Sequence, residues 1–480
     1  MSITIAIITC LVAIISIHIH SILFYVHVDN QSNIEEILLH HSICPNVEQV
    51  FSLAMDIRAF DSWGRISQLK YIDNFSFLSN LVYYALCSDS SNKLIVVRGP
   101  HQCGKTKSLQ QFLAYLRHRH AFAIDVNFAH IDRVFQKESF LSLATLQALD
   151  YVKLDFHIDD IMKLDIILRK LSYQALSKCY RDKIVSLGFQ WNYKLLFNWA
   201  PWKINQQNNL QQLMKELLHN SCSNQDYFIH LLILLTALAE TNQKLRPILI
   251  LRDLHKSMVQ PSTTNLVLNL LKQLFQFIDS ESNNPFLFPV IMEMSDYAWY
   301  QLFYIQSLYF IIPKLNYDTI VMDTLTQDEM YKNTVHVYQL WSDTIFNSIW
   351  YSIGHDRGLW NQFLYRYHYL KAHRIESRTF VKTIIKQLQV ESDLIVFHLL
   401  SQALYTNKTL SYAFLKQLQD NNYVLNTFDW IARTETKYFL REKIAYIDKD
   451  FNFRIQHKLY QASIESYYKR VQQDKDLNIN

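Results

Sequence analysis

The segment Gly99-Pro100-His101-Gln102-Cys103-Gly104-Lys105-Thr106 meets every fixed position of the pattern G-x-x-x-x-G-K-[ST]. These are the residue types that hold a polyphosphate. Gly99 and Gly104 reach backbone angles closed to residues with a Cβ, so successive N–H groups can turn inward around a β-phosphate. Lys105 would reach the β- and γ-phosphates, and the Thr106 hydroxyl would ligate Mg2+. Ser108, just inside the following helix, is counted with the loop as nucleotide-binding. The chain holds only six glycines in 480 residues, so a chance match at this spacing is an uncommon event. The expected ligand is ATP with Mg2+.

A phosphate loop needs an acid from a neighbouring strand end to serve the metal, and commonly a second to polarise water. Pro247-Ile248-Leu249-Ile250-Leu251 is an apolar run ending in Arg252-Asp253, so Asp253 is the candidate for both metal and catalysis. Arg252 would donate to a phosphate or pair with a neighbouring acid. Phe288-Pro289-Val290-Ile291-Met292-Glu293 is a second such run, followed by Ser295-Asp296. Ser295 would either contact the γ-phosphate or cap a helix. In Gly354-His355-Asp356-Arg357-Gly358, Arg357 is the candidate for an arginine that senses nucleotide, and a tight turn explains the glycines as well. Asp125 ends another apolar run, where capping a helix is the plainer role. Lys105 and the helix terminus are expected to lower the pKa of Cys103.

This order of motifs resembles the AAA-related and STAND-like P-loop ATPases. It is most similar to the archaeal-type branch, which carries a C-terminal winged-helix lid. The likeness covers residues 80–330 well and 330–470 loosely. It implies ATP hydrolysis with Mg2+, with Ser295 as the polar sensor and Arg357 as sensor or finger arginine; Arg366 and Arg374 are alternatives to Arg357. In that family an Asp-Glu pair follows the strand that here ends in Arg252-Asp253. The departure leaves two readings open, slow hydrolysis through Asp253 or a non-catalytic scaffold that binds ATP. An organellar DNA-linked ATPase is a third.

The elements that must position these groups are legible as periodicities. Leu94-Ile95-Val96-Val97 reads as a strand before the loop, and Lys105–Arg117 as a helix with Leu109, Phe112, Leu113 and Leu116 on one face. Further strands are expected at 121–126, 247–251, 288–293 and 319–322. A strand–helix–strand crossover at this spacing implies a parallel sheet. Helices are expected at 46–60, 78–86, 227–238 and 265–278, and everything after 322 reads as helical. The expected class is therefore α/β: a P-loop NTPase parallel sheet flanked by helices, a helical and winged-helix-like lid, and an N-terminal transmembrane helix.

Composition adds compartment. Ile3 to Val28 carries no Asp, Glu, Lys or Arg and is long enough to cross a bilayer. It begins without the positive start of a cleaved signal, so an uncleaved anchor is expected. The reading is single-pass, with the ATPase facing cytosol or mitochondrial matrix, where ATP is plentiful. Six scattered cysteines without C-x-x-C spacing give no support to a zinc or disulfide framework. A net charge of +4 makes no electrostatic case for nucleic acid. Tyr365-Arg366-Tyr367-His368-Tyr369 interleaves bases and aromatics as a stacking platform would, and at helical spacing the same tyrosines pack a core. A protein partner, or a second copy of the chain, is left open. The expected units are 1–28 anchor, 29–90 helical linker, 91–330 P-loop domain, 331–471 lid and 472–480 polar tail.

Overall fold

The computed structural model describes residues 50, 54–57, 75–87, 94–118, 123–128, 231–237, 239, 247–257, 261–280, 288–305, 317–322, 326–332, 342–372, 377–406, 408–426 and 434–477. The expected anchor at 3–28 lies outside them, as do Arg374, residues 129–230 and most of the expected linker. Among the described residues no helix is long and apolar enough to cross a membrane.

Helix α1 (Phe75–Val82) leads toward strand β1 (Leu94–Arg98), which delivers the phosphate loop and then helix α2 (Lys105–His118). Strands β2 (Ala123–Asn127) and β3 (Ile248–Arg252) follow, then helix α3 (Pro261–Ser280), strand β4 (Val290–Glu293), the one-turn helix α4 (Asp296–Trp299) and strand β5 (Asp318–Val321). All five strands are parallel, in the order β2-β3-β4-β1-β5. β1, β3 and β4 are apolar on both faces because helices cover both. Ile95, Val97, Ile250, Ile291 and Ile320 face Leu109, Phe112, Leu113 and Leu116 of α2. Val96, Leu249, Leu251, Val290 and Met292 face the other way, onto Val267, Leu271 and Leu274 of α3 and the helical residues 231–237. The alternation follows from the two-residue period of a strand.

Helices α5 (Asp343–Ile353), α6 (Arg357–Ala372) and α7 (Ser377–Thr406) pack around buried Trp360, with Phe346, Ile349, Phe363 and Ile384. Gly354 ends α5 at φ +76°, and the chain turns straight into α6. Helix α8 (Lys408–Asp420), strand β6 (Val424–Leu425), helix α9 (Thr434–Arg441), strands β7 (Ala445–Ile447) and β8 (Phe453–Ile455), and helix α10 (Lys458–Leu477) complete the chain. The three strands form an antiparallel sheet in the order β6-β8-β7.

One expectation is corrected here. The region after 322 is not wholly helical, because β6 to β8 are two or three residues long, too short for alternation to register against the surrounding helical periods. The polar residues from 472 on are helical as far as Leu477, where α10 ends. Its last turns carry polar side chains of good helix propensity, which composition alone reads as tail.

Candidate functional site: the phosphate loop and the acid beside it

The loop leaves β1 at Gly99 with φ +144° and enters α2 at Gly104 with φ +104°. A Cβ on Gly99 would lie 2.8 Å from the Met322 carbonyl oxygen, at the end of β5, so this position admits only glycine. Gln102 also takes a positive φ, 59°, at the crest of the loop. Lys105 lies across the turn and donates to the carbonyls of Gly99 (2.8 Å) and Pro100 (2.7 Å), with the Cys103 sulfur at 3.5 Å. Ser108 is buried, its N–H on the Gly104 carbonyl as the helix begins. The loop is thus folded with its lysine inside it.

Thr106 donates its hydroxyl to Glu293 Oε1 at 2.5 Å. Glu293 ends β4, the strand beside β1, in register with Val97. It is 1% exposed, and Oε2 has no hydrogen-bond partner. Burial raises its pKa, against the Thr106 hydrogen bond and the charges of Lys105 and Arg252. Sequence reasoning passed over this residue, reading it as the last position of a strand. The signal that could have found it is a lone acid closing an otherwise apolar run.

The structure assigns different work to the residues named from sequence. Asp253 takes φ 59° just beyond β3, is buried, and pairs with Lys256 at 3.1 Å. Of the two residues expected to serve Mg2+, Thr106 gives its hydroxyl to Glu293 and Asp253 pairs with Lys256. Arg252 does not face the loop. Its fork closes on Asp125 through two bonds of 2.6 Å, so Asp125 is an ion-pair partner rather than a helix cap. Burial works against the charge of Arg252, and Asp125 outweighs it, so its pKa rises. The Ser295 hydroxyl accepts from the Ala298 N–H at 3.2 Å and caps α4, one of the two roles expected of it. Asp296 is buried, pairs with Arg98 at 3.4 Å and accepts from the Ile447 N–H. The Cys103 thiol is pushed up rather than down, because burial outweighs Lys105, its neighbouring charge.

The C-terminal region sits on the loop itself. Gln456, just after β8, donates to the His101 carbonyl and to Asp356 Oδ2, both at 2.8 Å. Gln362 of α6 donates to Gln102 Oε1 at 2.9 Å. Arg357 is buried at the start of α6, near enough to Cys103 to act on the thiol by its charge. A Cβ on Gly358 would lie 2.6 Å from that of Gln102, so a glycine lets the helix approach the loop. Arg98, at the end of β1, donates to the carbonyls of Ile447 (2.7 Å) and Asp448 (3.0 Å) and stacks against Trp299 and Phe451. The lid is bolted to the strand that carries the loop.

The aromatic–basic run forms no stacking platform in its described side chains. Tyr367 is buried against Phe363, Arg366 holds both oxygens of Glu391, and only Tyr365 stands exposed.

Among the described residues no cluster of three His, Cys, Asp or Glu side chains holds a metal unaided. Mg2+ beside phosphates needs only one or two protein oxygens. The Thr106 hydroxyl and the unpartnered, buried oxygen of Glu293 are hard donors of the fitting kind.

A parallel sheet with this loop between β1 and α2 is the fold of a P-loop α/β protein. Among solved structures the chain is similar to a Walker-type ATPase of Pyrococcus abyssi, at 10% identity and a TM-score of 0.41, over 78% of this chain and 91% of that one. No family model matches the chain, and no curated protein does.

Proposed function

We propose that the protein binds ATP with Mg2+ at residues 99–106 and uses nucleotide occupancy to set the position of its lid. The observation that carries this reading is the loop itself: two positive-φ glycines, an enclosed lysine and a helix N-terminus in one turn. Lys105 now bonds to two loop carbonyls, and a bound triphosphate would draw it off them. The same loop supplies the carbonyl of His101 and the side chain of Gln102 to the lid. Ligand binding and lid docking therefore share one short segment, and a ligand that favours one arrangement of it biases the lid. Arg357, buried at the start of α6, already acts on Cys103 of the loop through its positive charge. Mg2+, when bound, would neutralise part of the phosphate charge.

The apolar, uncharged run of residues 3–28 supports a single-pass anchor, with the nucleotide domain facing cytosol or mitochondrial matrix. A regulated protein partner follows from a switch, and nothing identifies it. The ion pair that removes Arg252 and Asp125 from the site supports a switch that turns ATP over slowly.

The test uses the full-length chain in detergent. ATP at about 100-fold excess over Kd stabilises a binding protein by about 2.7 kcal/mol and raises its melting temperature. Lys105→Ala is expected to abolish that rise, because a buried charge-assisted contact is worth about 2–5 kcal/mol. A wild-type chain that melts alike with and without Mg2+ and ATP would refute the reading. Phosphate release, measured beside it, separates a slow ATPase from a scaffold.

A further inference from the structure

We propose that Glu293 is the acid of the nucleotide site: it holds Thr106 through one carboxylate oxygen and, through the other, the magnesium ion that accompanies the triphosphate. The proposal rests on the nucleotide reading above and adds the residue that answers the metal. Its ground is the contact already formed. Of the acids at this edge of the sheet, Glu293 is the one bonded to the loop threonine. Its second oxygen is buried and unpartnered. Such an oxygen is costly unless something cationic or a donor reaches it in the working state.

Sheet order explains why the acid sits on this strand. β4 lies directly beside β1, and Glu293 is level with Val97, just before the loop. β3 lies two strands from β1, about 10 Å away at ordinary strand spacing. Asp253 is further committed by its ion pair to Lys256. Asp125, on the strand beyond, is held by Arg252. Arg252 therefore replaces an acid on β3 without cost to metal binding, because the acid has moved to the neighbouring strand.

The experiment measures the Kd of a fluorescent ATP analogue for the full-length chain in detergent, once with Mg2+ and once with EDTA. The readout is the ratio of the two. Wild type is expected to show tightening by Mg2+ that depends on Lys105. Glu293→Gln keeps the shape of the side chain and is expected to retain EDTA-state binding while losing about 10–100-fold of the tightening. Asp253→Asn is expected to keep it. Glu293→Asp, one methylene short, is expected to fall between, and it decides the matter should the glutamine variant not fold. Full tightening in the Glu293 variants, or its loss in Asp253→Asn, overturns the assignment while leaving nucleotide binding intact. A wild-type chain with no Lys105-dependent binding overturns both.

Discussion

On the β2–β3 side of the sheet's carboxyl edge, Arg252 closes its fork on Asp125, and both side chains are nearly shut from solvent. On the β1–β4 side, Glu293 gives one oxygen to Thr106 and leaves the other without a partner, while Lys105 bonds to carbonyls of its own loop. The two sides use the same chemistry, a buried charge against a polar group. They differ in which charge is already answered. The two-bond guanidinium–carboxylate pair sets charge against charge and fixes β2 against β3, although Nη1 of Arg252 is itself buried without a partner. A carboxylate with a spare buried oxygen, beside a lysine on exchangeable carbonyls, gains by a ligand. On the proposed reading a ligand acts at β1 and β4, beneath the C-terminal region, rather than at the strand end where an acid was expected.

The largest effect that would break the contrast is at Arg252. Arg252→Met leaves Asp125 buried without its partner and is expected to cost about 3 kcal/mol of stability. Adding Asp125→Leu should recover most of that, because an apolar pair of similar volume is often neutral. Denaturation of the three proteins gives the numbers. If the double variant loses ATP binding, the β2–β3 side belongs to the site after all.

A smaller effect lies at the lid, where pH sharpens the comparison. His457 is buried against Tyr460 and its pKa is lowered to about 3 by burial and by His355. A depressed folded-state pKa means stability present above the unfolded value, near 6.5, and lost progressively as pH falls. Asp356 has the opposite sign: burial raises it to about 6, so its contribution is present at low pH and lost as pH rises through 6. Between pH 7 and 5 His457 costs the fold about 2 kcal/mol and Asp356 returns about 1. His355, also lowered by burial, adds to the loss. The melting temperature should therefore fall on acidification. His457 Nδ1 accepts the Tyr460 N–H at the start of α10, a cap that asparagine can also supply. His457→Asn should weaken the acid sensitivity, and an unchanged slope would remove His457 from the account.

What sequence revealed of this arrangement divides along the same line. The loop and the five parallel strands were legible because each depends on local signals: a fixed glycine spacing, and apolar runs of four or five residues. Arg252 and Asp253 were correctly noted as a departure, but their partners could not be. Asp125 lies 127 positions away from Arg252, and only the β2–β3 register brings them together. Glu293 went unnoticed for a related reason. Which strand neighbours β1 is a property of sheet order, and a parallel crossover can place either β3 or β4 there. Arg98 went unread just past the strand expected at 94–97, and its contacts with Ile447 and Asp448 span about three-quarters of the chain. The Ser295 cap was legible as one of two alternatives, because a cap depends on a residue only one turn away.

The smallest expected effect tests whether the lid governs the open side. Gln456→Ala removes the donor that joins the His101 carbonyl to Asp356. Each such hydrogen bond is worth about 1 kcal/mol net, so docking should weaken by about 1–2 kcal/mol without touching a phosphate-loop side chain. If a docked lid keeps the loop from nucleotide, apparent affinity is reduced by the fraction of molecules that are competent, and loosening the lid raises that fraction. Stopped-flow binding should then show association faster by about tenfold for each 1.4 kcal/mol of lost docking. Gly358→Ala should act in the same direction, because its methyl group would force α6 away from Gln102. The Arg252→Met variant should leave the rate alone, since that pair lies on the closed side. Faster association in the two lid variants alone would tie lid docking to the loop. An equal rate in all three would mean that nucleotide reaches Lys105 with the lid in place.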